Sequence, residues 1–329
     1  MNEIISELIK KCNLGSLLEP PKKIEGGLLN KMFKVSTTKG NFAFKLINPE
    51  VVKRKDGIKN ILFTEKVSNI AKLNGIKCIS AIEINNELIH SINGKYFLIF
   101  DWFDGRPINE SELAEDKIKT VAKELCKLHK IEYNNLKNEC DITYELDEIN
   151  FDFYLSKIKD KNIYNLVKEI KNRFSNLDKE SIESLKKIKD KKVISHRDLD
   201  LPNVLWNSEN IPVIIDWETS GWVNPTLEVI DTAWNWAGGK DFFDKNKYSI
   251  FVNTYEKEGG NLDDYEIAFK ADYKAKLRWF EYNLKRITIF DFLDEEEKKL
   301  GEKEVLRSAD EIIKFDDYKN DMLNYNKNI

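Results

Sequence analysis

The apolar positions in the first part of the chain fall into short alternating runs, which predict an antiparallel sheet. Such runs occupy residues 24–46, where a Lys-Gly-Asn turn signal at 39–41 divides them, and they recur at 82–84 and 96–100. Residues 58–73 carry apolar side chains every three to four positions and are therefore expected to form a helix. Together these segments predict a small β-rich domain that contains one helix.

The pattern changes at residues 101–107, where Asp-Trp-Phe-Asp-Gly-Arg-Pro leaves little room for regular structure. Beyond this segment most apolar runs have helical spacing. Helices are predicted over residues 112–130, 151–189, 225–237, 248–256, 265–290 and 295–315. We therefore predict an α+β fold with an antiparallel-sheet lobe over residues 1–100, a hinge over 101–107 and a larger, mainly helical lobe over 108–329.

Composition indicates a globular protein and argues against several classes of partner. The 329 residues are 41% hydrophobic and 33% charged, with a formal net charge of −4, so no global positive field would attract nucleic acid. No apolar run approaches the roughly 18 residues needed to cross a bilayer, and the first residues do not resemble a signal peptide. We expect a cytoplasmic protein, taken to be a monomer, without a membrane or nucleic-acid partner.

One polar loop stands out between two short apolar runs, in residues 193–218. It contains His196, Asp198 and Asn203, and the second run ends on Asp216. Carboxylate and amide oxygens suit Mg²⁺, and an aspartate on such a loop can orient a hydroxyl and accept its proton. Each residue alone is better explained by an ordinary surface loop. Together they indicate phosphoryl transfer from a nucleotide to a hydroxyl group.

Residues earlier in the chain are candidates for contacting the phosphates. Lys45 lies in a half-buried strand pattern, where a lysine faces either solvent or a partner, and Glu65 in the following helix is a carboxylate able to hold it. Gly26 and Gly27, ahead of Asn30, would let backbone N–H groups approach phosphate oxygens. A β-bulge explains the glycine pair equally well.

The histidine and the arginine of the loop each have two interpretations. His196 lies close to Asp198, which invites an acid–base role, but we expect its ring to pack inward and to hydrogen-bond the loop backbone. Arg197 is equally explained by an ion pair that fastens the loop and by a phosphate contact.

These motifs, in this order, resemble the protein-kinase-like fold, and most closely its aminoglycoside phosphotransferase and choline kinase branch. The resemblance spans residues 24–236. It rests on HRDLDLPN at 196–203, IIDWE at 214–218, Lys45 with Glu65, LIFDWFDG at 98–105 and KELCKLHK at 123–130. The first two motifs are the specific ones.

The resemblance implies a role for each candidate residue. Asp198 would be the catalytic base, with Asn203 and Asp216 as the Mg²⁺ ligands. Lys45, positioned by Glu65, would contact the α- and β-phosphates.

The resemblance also implies a nucleotide co-substrate held at the hinge. The backbones of Asp101 and Phe103 would hydrogen-bond adenine, or guanine, which some relatives use. The expected cofactors are therefore Mg²⁺ with ATP or GTP.

Three departures from the family pattern bear on the acceptor. Asp216 is followed by Trp217 and Glu218 rather than by Phe-Gly, and only fifteen positions separate it from Asp231. This leaves no room for a long activation segment, so the expected acceptor is a small molecule and not a protein. Asp200 stands where relatives often carry histidine, which alters the charge of the loop or the acceptor site.

Two chemistries compete for the acceptor. An acidic lining would suit a polycationic aminoglycoside, whereas an aromatic cage would suit a quaternary ammonium such as choline. The candidate carboxylates are Asp200, Glu218, Glu228 and Asp231, and the candidate aromatic residues are Trp217, Trp222, Trp234, Trp236 and Trp279. The tryptophans are better explained by packing, so we prefer an aminoglycoside or a related hydroxylated amine.

Other functions stay open at this point. Choline, ethanolamine, homoserine and sugars are alternative acceptors, and a catalytically idle kinase-like scaffold is an alternative of another class. An aminoglycoside substrate would not by itself imply a role in antibiotic resistance.

Overall fold

The computed structural model describes residues 1–24, 30–136, 146–239, 241–290 and 295–325. These residues form two compact units, each assembled from separate stretches of the chain. The described parts of Met1–Asn109, Lys130–Asp141 and Ile194–Gly221 make up the first unit, and those of Glu110–His129, Ile142–Val193 and Trp222–Ile329 make up the second. The loop that carries Asp198 and Asp216 therefore belongs to the same unit as Lys45.

A five-stranded antiparallel sheet dominates the first unit. Its strands are β1 (Lys22–Ile24), β2 (Lys31–Thr37), β3 (Gly40–Leu46), β4 (His90–Ile92) and β5 (Lys95–Asp101), in the spatial order β1-β2-β3-β5-β4. The predicted β2–β3 hairpin is confirmed, with Thr37 paired to Gly40 across the turn. Alternate side chains such as Val35 and Phe44 are buried because successive residues of a strand point to opposite faces. They form a core with helix α1 (Asn2–Lys11).

The helix predicted over residues 58–73 is confirmed as α3 (Gly57–Leu73), and a short helix, α2 (Pro49–Lys53), precedes it. Asn48 begins α2, since its side chain accepts the N–H of Glu50 at 2.9 Å. The chain leaves α3 through Gly75, whose φ of +85° is a left-handed conformation that glycine adopts without strain. The two helices are thus delimited by local signals of the sequence.

The strand predicted at residues 82–84 is wrong, because the edge strand that pairs with β5 is β4. Ile82 makes one backbone hydrogen bond to β5, at 2.7 Å, and Ile84 pairs only with Glu87 across a tight turn. The two asparagines of this turn, residues 85–86, have positive φ, which asparagine tolerates better than most residues. The chain therefore reverses before the edge strand begins.

A smaller sheet of the first unit carries the polar loop. It consists of β6 (Arg106–Pro107), β8 (Val204–Trp206) and β9 (Pro212–Ile214), paired antiparallel in that order. The predicted apolar runs correspond to β7 (Val193–Ser195) and β9, whereas β8 was not predicted. Strand β10 (Gly221–Val223) follows.

The second unit is helical. Its helices are α4 (Glu115–His129), α5 (Phe151–Leu155), α6 (Lys161–Ile188), α7 (Pro225–Trp236), α8 (Lys245–Lys257), α9 (Tyr265–Thr288), α10 (Glu295–Asp317) and α11 (Lys319–Leu323). Helix α9 packs against α6, α7 and α10. The helical region predicted over residues 151–189 consists of two helices, because the side chain of Asp160 caps a new helix by accepting the N–H groups of Asn162 and Ile163 at 2.9 Å.

The predicted fold class is confirmed: an antiparallel sheet with one principal helix lies toward the amino terminus, and a larger helical part follows. Among the described residues, no helix is both long and apolar enough to span a membrane.

Candidate active site

The loop between β7 and β8 holds Asp198 and Asn203 together. The side-chain amide of Asn203 donates to the backbone carbonyl of Asp198 at 2.8 Å and to its carboxylate Oδ2 at 3.0 Å. Asn203 lies in a single 3-10 turn, Leu201–Asn203. The backbone of this turn is held by the N–H of Asn203, which donates to the carbonyl of Asp200 at 3.0 Å. Asp198 is half-buried, so its carboxylate is both oriented and accessible to a hydroxyl group.

Asp216 follows β9 and is tied to the same loop. The N–H of Ile215 donates to the carbonyl of Asn203 at 2.9 Å, which joins the end of β9 to the loop that holds Asp198. Ile214 makes two further backbone hydrogen bonds to residues 77–79, at 2.8 and 3.0 Å. Asp216 itself has φ +61°, an uncommon conformation for a residue other than glycine, and such conformations concentrate at functional sites.

Lys45 lies in β3 and points to these carboxylates. It is 8% exposed, its ammonium donates to Asp216 Oδ1 at 2.8 Å, and it also contacts the carboxylate of Glu218. Burial alone would lower the pKa of Lys45, but the two carboxylates outweigh this effect and raise the pKa to about 12. Burial would likewise raise the pKa of Asp216, and the charge of Lys45 outweighs it, so that this pKa is lowered. Lys45 and Asp216 therefore both favour the ion-paired state.

The expected ion pair between Lys45 and Glu65 is not present among the described residues. The carboxylate of Glu65 instead accepts the N–H of Ala81 at 2.8 Å and the hydroxyl of Ser68 at 3.4 Å. Burial raises the pKa of Glu65 to about 7, although the Ala81 N–H and the charge of Lys45 act in the opposite direction. The carboxylates that contact Lys45 in this structure belong to the turn after β9, not to helix α3.

The raised pKa of Glu65 predicts how the stability of the fold depends on pH. The unfolded chain would lose this proton near pH 4.5, whereas the folded protein keeps it until about pH 7. The contribution of Glu65 to stability is therefore fully present below pH 4.5 and is lost as the pH rises to 7. A Glu65→Gln variant has no such titration, so its free energy of unfolding should rise relative to wild type by up to about 3 kcal/mol across this window.

Denaturant unfolding of both proteins at pH 5, 6, 7 and 8 would measure the difference. The groups around Glu65 are Lys45, Glu218, Ser68 and Ala81, and the charge of Lys45 does not change over this range. Parallel stability curves for the two proteins would contradict the assignment.

Asn30 enters the site in a way that the sequence did not predict. It is buried, its side-chain amide donates to Glu218 Oε1 at 2.7 Å, and its Oδ1 accepts the backbone N–H of Asn48 at 2.8 Å. Gly26 and Gly27, the predicted phosphate-binding glycines, lie outside the described residues. Their role, and any contact of Asn30 with a phosphate, stay predictions.

The predicted hinge segment carries Asp101 at the end of β5 and Phe103 two positions later. The N–H of Gly105 donates to the carbonyl of Phe103 at 3.1 Å, and the N–H of Trp102 donates to the carbonyl of Asn41, near the start of β3, at 3.1 Å. A side chain at Gly105 would place its Cβ 2.4 Å from the ring of Phe103, so the ring would have to move to accommodate it. The contacts of the Asp101 and Phe103 backbones with a base stay predictions.

The inward orientation expected for His196 is confirmed. Its ring is fully buried, Nε2 lies 2.9 Å from the carbonyl of Ile215, and the ring packs edge-on against Trp217 at 4.8 Å between centroids. The hydroxyl of Thr219 donates to the backbone carbonyl of His196 at 3.0 Å. His196 thus fastens the loop to the turn after β9, which is a structural role.

Two of the carboxylates proposed for the acceptor site have other partners. Glu228 is 3% exposed, and its carboxylate lies 2.7 Å from Nε2 of His129, whose Nδ1 lies 2.8 Å from the hydroxyl of Tyr255. Asp231 contacts the buried ammonium of Lys276. Glu228 is therefore an internal residue paired with His129, and in this structure it does not line an acceptor site as expected.

Three of the five candidate tryptophans are buried in the core and are not available to an aromatic cage. Trp234 and Trp236 are fully buried, and Trp217 is 3% exposed. Trp234 stacks on Phe243 at 5.3 Å, as expected for a core residue. Packing, the interpretation preferred from the sequence, therefore accounts for these three residues.

Comparison with known proteins identifies the class to which this site belongs. The sequence model of the phosphotransferase enzyme family matches residues 21–260, which is well over half of the chain. The chain therefore belongs to this family. None of the curated proteins compared with it matches.

Several solved structures share the fold of this chain. A spectinomycin phosphotransferase bound to ADP and spectinomycin has a TM-score of 0.71, with 14% identity, over 96% of this chain and 98% of that one. A microcompartment-associated aminopropanol kinase has a TM-score of 0.68, with 11% identity, over 98% and 99%. A choline kinase from Cryptosporidium parvum Iowa II has a TM-score of 0.58, with 16% identity, over 97% of each. At such identities the likeness establishes the fold, and the kinase-like fold expected from the motifs is confirmed.

Proposed function

We propose that the protein transfers the γ-phosphoryl group of ATP or GTP to a hydroxyl group of an aminoglycoside or a related hydroxylated amine, with Mg²⁺. One observation carries the proposal: four residues with the required chemistry meet in one compact unit. Asn203 holds Asp198 through its amide and binds the residue before Asp216 through its carbonyl, while Lys45 contacts Asp216.

Each side chain has a distinct task in this reaction. Asp198 would orient the acceptor hydroxyl and accept its proton late in the transfer. Asn203 keeps the carboxylate in place, so less reorganisation is needed when the acceptor arrives. Lys45 is charged at neutral pH and would offset the negative charge of the α- and β-phosphates.

The side chains of Asn203 and Asp216 fit a divalent cation. Both hydrogen bonds that the Asn203 amide donates go to Asp198, which leaves its Oδ1 as an oxygen donor. The Asp216 carboxylate is 42% exposed and uses only Oδ1 to bind Lys45. Mg²⁺ prefers such hard oxygen donors, and it would neutralise charge on the transferring phosphoryl group.

The short connection after Asp216 supports a small acceptor. Only a 3-10 turn, Trp217–Thr219, and β10 separate Asp216 from helix α7, so a protein substrate would find no activation segment to dock on. Spectinomycin phosphotransferase, aminopropanol kinase and choline kinase, all with this fold, are named for hydroxylated amines. This substrate class is the first to test.

A turnover screen would test the proposal. With Mg²⁺ and ATP or GTP, we expect nucleoside diphosphate release with at least one hydroxylated amine, and a product heavier by one phosphoryl group in mass spectrometry. The panel would contain aminoglycosides, spectinomycin, aminopropanol, choline, ethanolamine, homoserine and sugars. Turnover of homoserine or a sugar alone would assign one of the alternative acceptors.

If no acceptor in the panel is phosphorylated, a nucleotide-binding measurement shows whether the panel lacked the right acceptor or the protein is catalytically idle. A ligand that binds only the folded state raises the melting temperature, by an amount set by its concentration relative to Kd. We expect such a rise with Mg·ATP or Mg·GTP. No rise with either nucleotide, together with no turnover, would favour the idle scaffold.

A further inference from the structure

The imidazole ring of His90 is enclosed where helix α1 packs against strand β4. His90 is the first residue of this edge strand and pairs with Phe97 of β5. The residue is 1% exposed, and its Nε2 is buried without a hydrogen-bond partner among the described residues. A charge on such a ring would lose its hydration and gain no bond from Nε2 in return. The site therefore favours the uncharged ring.

The polar contacts around this ring are long and lie at the surface. Lys11, the last residue of α1, reaches the carboxylate of Glu87 at 3.5 Å and the carbonyl of Ser91 at 3.4 Å. The amide of Asn93, in the turn after β4, donates to Glu7 of α1 at 3.5 Å. Exposed contacts of this kind contribute little to stability. The attachment of α1 to β4 therefore depends mainly on the buried side chains beneath them.

The charges around His90 do not favour its protonation. Burial lowers the pKa of His90, and the positive charge of Lys11 lowers this pKa further. The carboxylate of Glu87, 3.9 Å from Nδ1, and a hydrogen bond to the backbone act in the opposite direction but do not restore the ordinary value. Two further charged side chains on the elements packed against β4 are exposed to solvent: Glu7 of α1 and Lys95 of β5.

The sign of the pH dependence follows from this lowered pKa. In the unfolded chain His90 takes up a proton near pH 6.5, whereas in the folded protein it does so only at a lower pH. The contribution of the neutral ring to stability is therefore present above pH 6.5 and is lost as the pH falls through the folded-state pKa. The new charge would lie beside Lys11 in an apolar contact.

We infer that His90 makes the contact between α1 and β4 a pH-sensitive clasp, which loosens in mild acid while the rest of the sheet stays folded. The topology allows this local opening. Strand β4 lies at one edge of the sheet and pairs only with β5, and α1 is the first helix of the chain, so both can separate without breaking the pairing of β2 with β3. The inference does not depend on the proposed function.

Hydrogen exchange of the whole protein, followed by mass spectrometry at pH 5.5 and 7.5 and corrected for the intrinsic rates, would test the clasp. We expect the protection of α1 and β4 to fall at least about threefold at pH 5.5, with the ratio between β2 and β3 protection unchanged. His90→Asn cannot take up a proton, so it should abolish the pH dependence. His90→Leu should do the same, and it carries the test if His90→Asn does not fold.

Two charge variants at exposed positions separate titration of the ring from a merely structural role. Glu87→Gln removes the carboxylate nearest to Nδ1, so it should increase the loss of protection in acid. Lys11→Gln removes a like charge and should reduce that loss. A structural role would instead make both variants looser at every pH, because each loses the same surface contact. Glu83→Gln, at another exposed position of the first unit, is the control and should match wild type.

Three results would overturn the inference. The first is protection of α1 and β4 that does not depend on pH in wild type. The second is a pH dependence that persists in the His90 variants, or that Glu87→Gln and Lys11→Gln change in the same direction. The third is an equal loss of protection in β2 and β3, which would show that acid unfolds the whole sheet.

Discussion

Replacing Asp198 with asparagine is expected to lower kcat roughly 10³-fold, the effect of losing a general base, while Kd for the nucleotide changes less than about twofold. Asparagine has nearly the shape of aspartate and can still accept the hydrogen bond from Asn203, so the loop should keep its conformation. Only the ability to accept the proton of the acceptor hydroxyl is lost.

Single-turnover kinetics with saturating Mg·ATP and the best acceptor would measure this loss directly. Glu209→Gln is the matched control, because it removes a carboxylate from an exposed turn of the same unit. A large loss of nucleotide binding in Asp198→Asn would contradict the assigned role, since it would mean that Asp198 holds the nucleotide and not the acceptor.

The second large effect is expected at Asp216. Asp216→Asn should lower kcat at least about 10²-fold and raise the Mg²⁺ concentration needed for half-maximal turnover, because an uncharged amide binds a cation more weakly than a carboxylate. The variant also leaves Lys45 with Glu218 as its charged partner. Since Asp216 is 42% exposed, we expect the fold to survive the change.

A Mg²⁺ titration at fixed ATP would distinguish metal binding from a general loss of activity. In Asp198→Asn the half-saturating Mg²⁺ concentration should stay near the wild-type value, so this variant is an internal control. If Asp216→Asn reduced turnover without any change in its Mg²⁺ requirement, Asp216 would not be a metal ligand.

The residues of the polar loop could be predicted because their geometry is local. Asn203 reaches Asp198 across five positions of one loop, and the neighbour of Asp216 bonds to the carbonyl of Asn203. Residue types and spacing therefore carry most of the information. The same holds for helix α3, whose periodic apolar positions and terminal glycine are read directly from the chain.

The partners of charged side chains could not be predicted in the same way. Glu65 was assigned to Lys45 from the family pattern, yet the lysine contacts Asp216, 171 positions away, and Glu218. The hydrogen bond from Asn30 to Glu218 spans 188 positions. The sequence places Glu218 two residues after Asp216, so Glu218 could have been recognised as a residue of the site. The spacing does not indicate that Glu218 faces Lys45.

Burial likewise separated residues that look alike in the sequence. Asp200, Glu218, Glu228 and Asp231 were equivalent acidic candidates, but Glu228 is enclosed with His129 whereas Glu218 is partly exposed beside Lys45. Packing decides which carboxylate is removed from water, and whether a partner offsets the free-energy cost of its lost hydration.

The sequence by itself determined the family, the fold class and the proposed reaction, because these depend on short motifs whose residues interact within one loop or one helix. The tertiary structure decided that the strand lysine pairs with the turn after β9 and not with helix α3, and that Asn30 holds that turn. The physical reason is that contacts between distant residues depend on how strands and helices pack, and no local spacing records that packing.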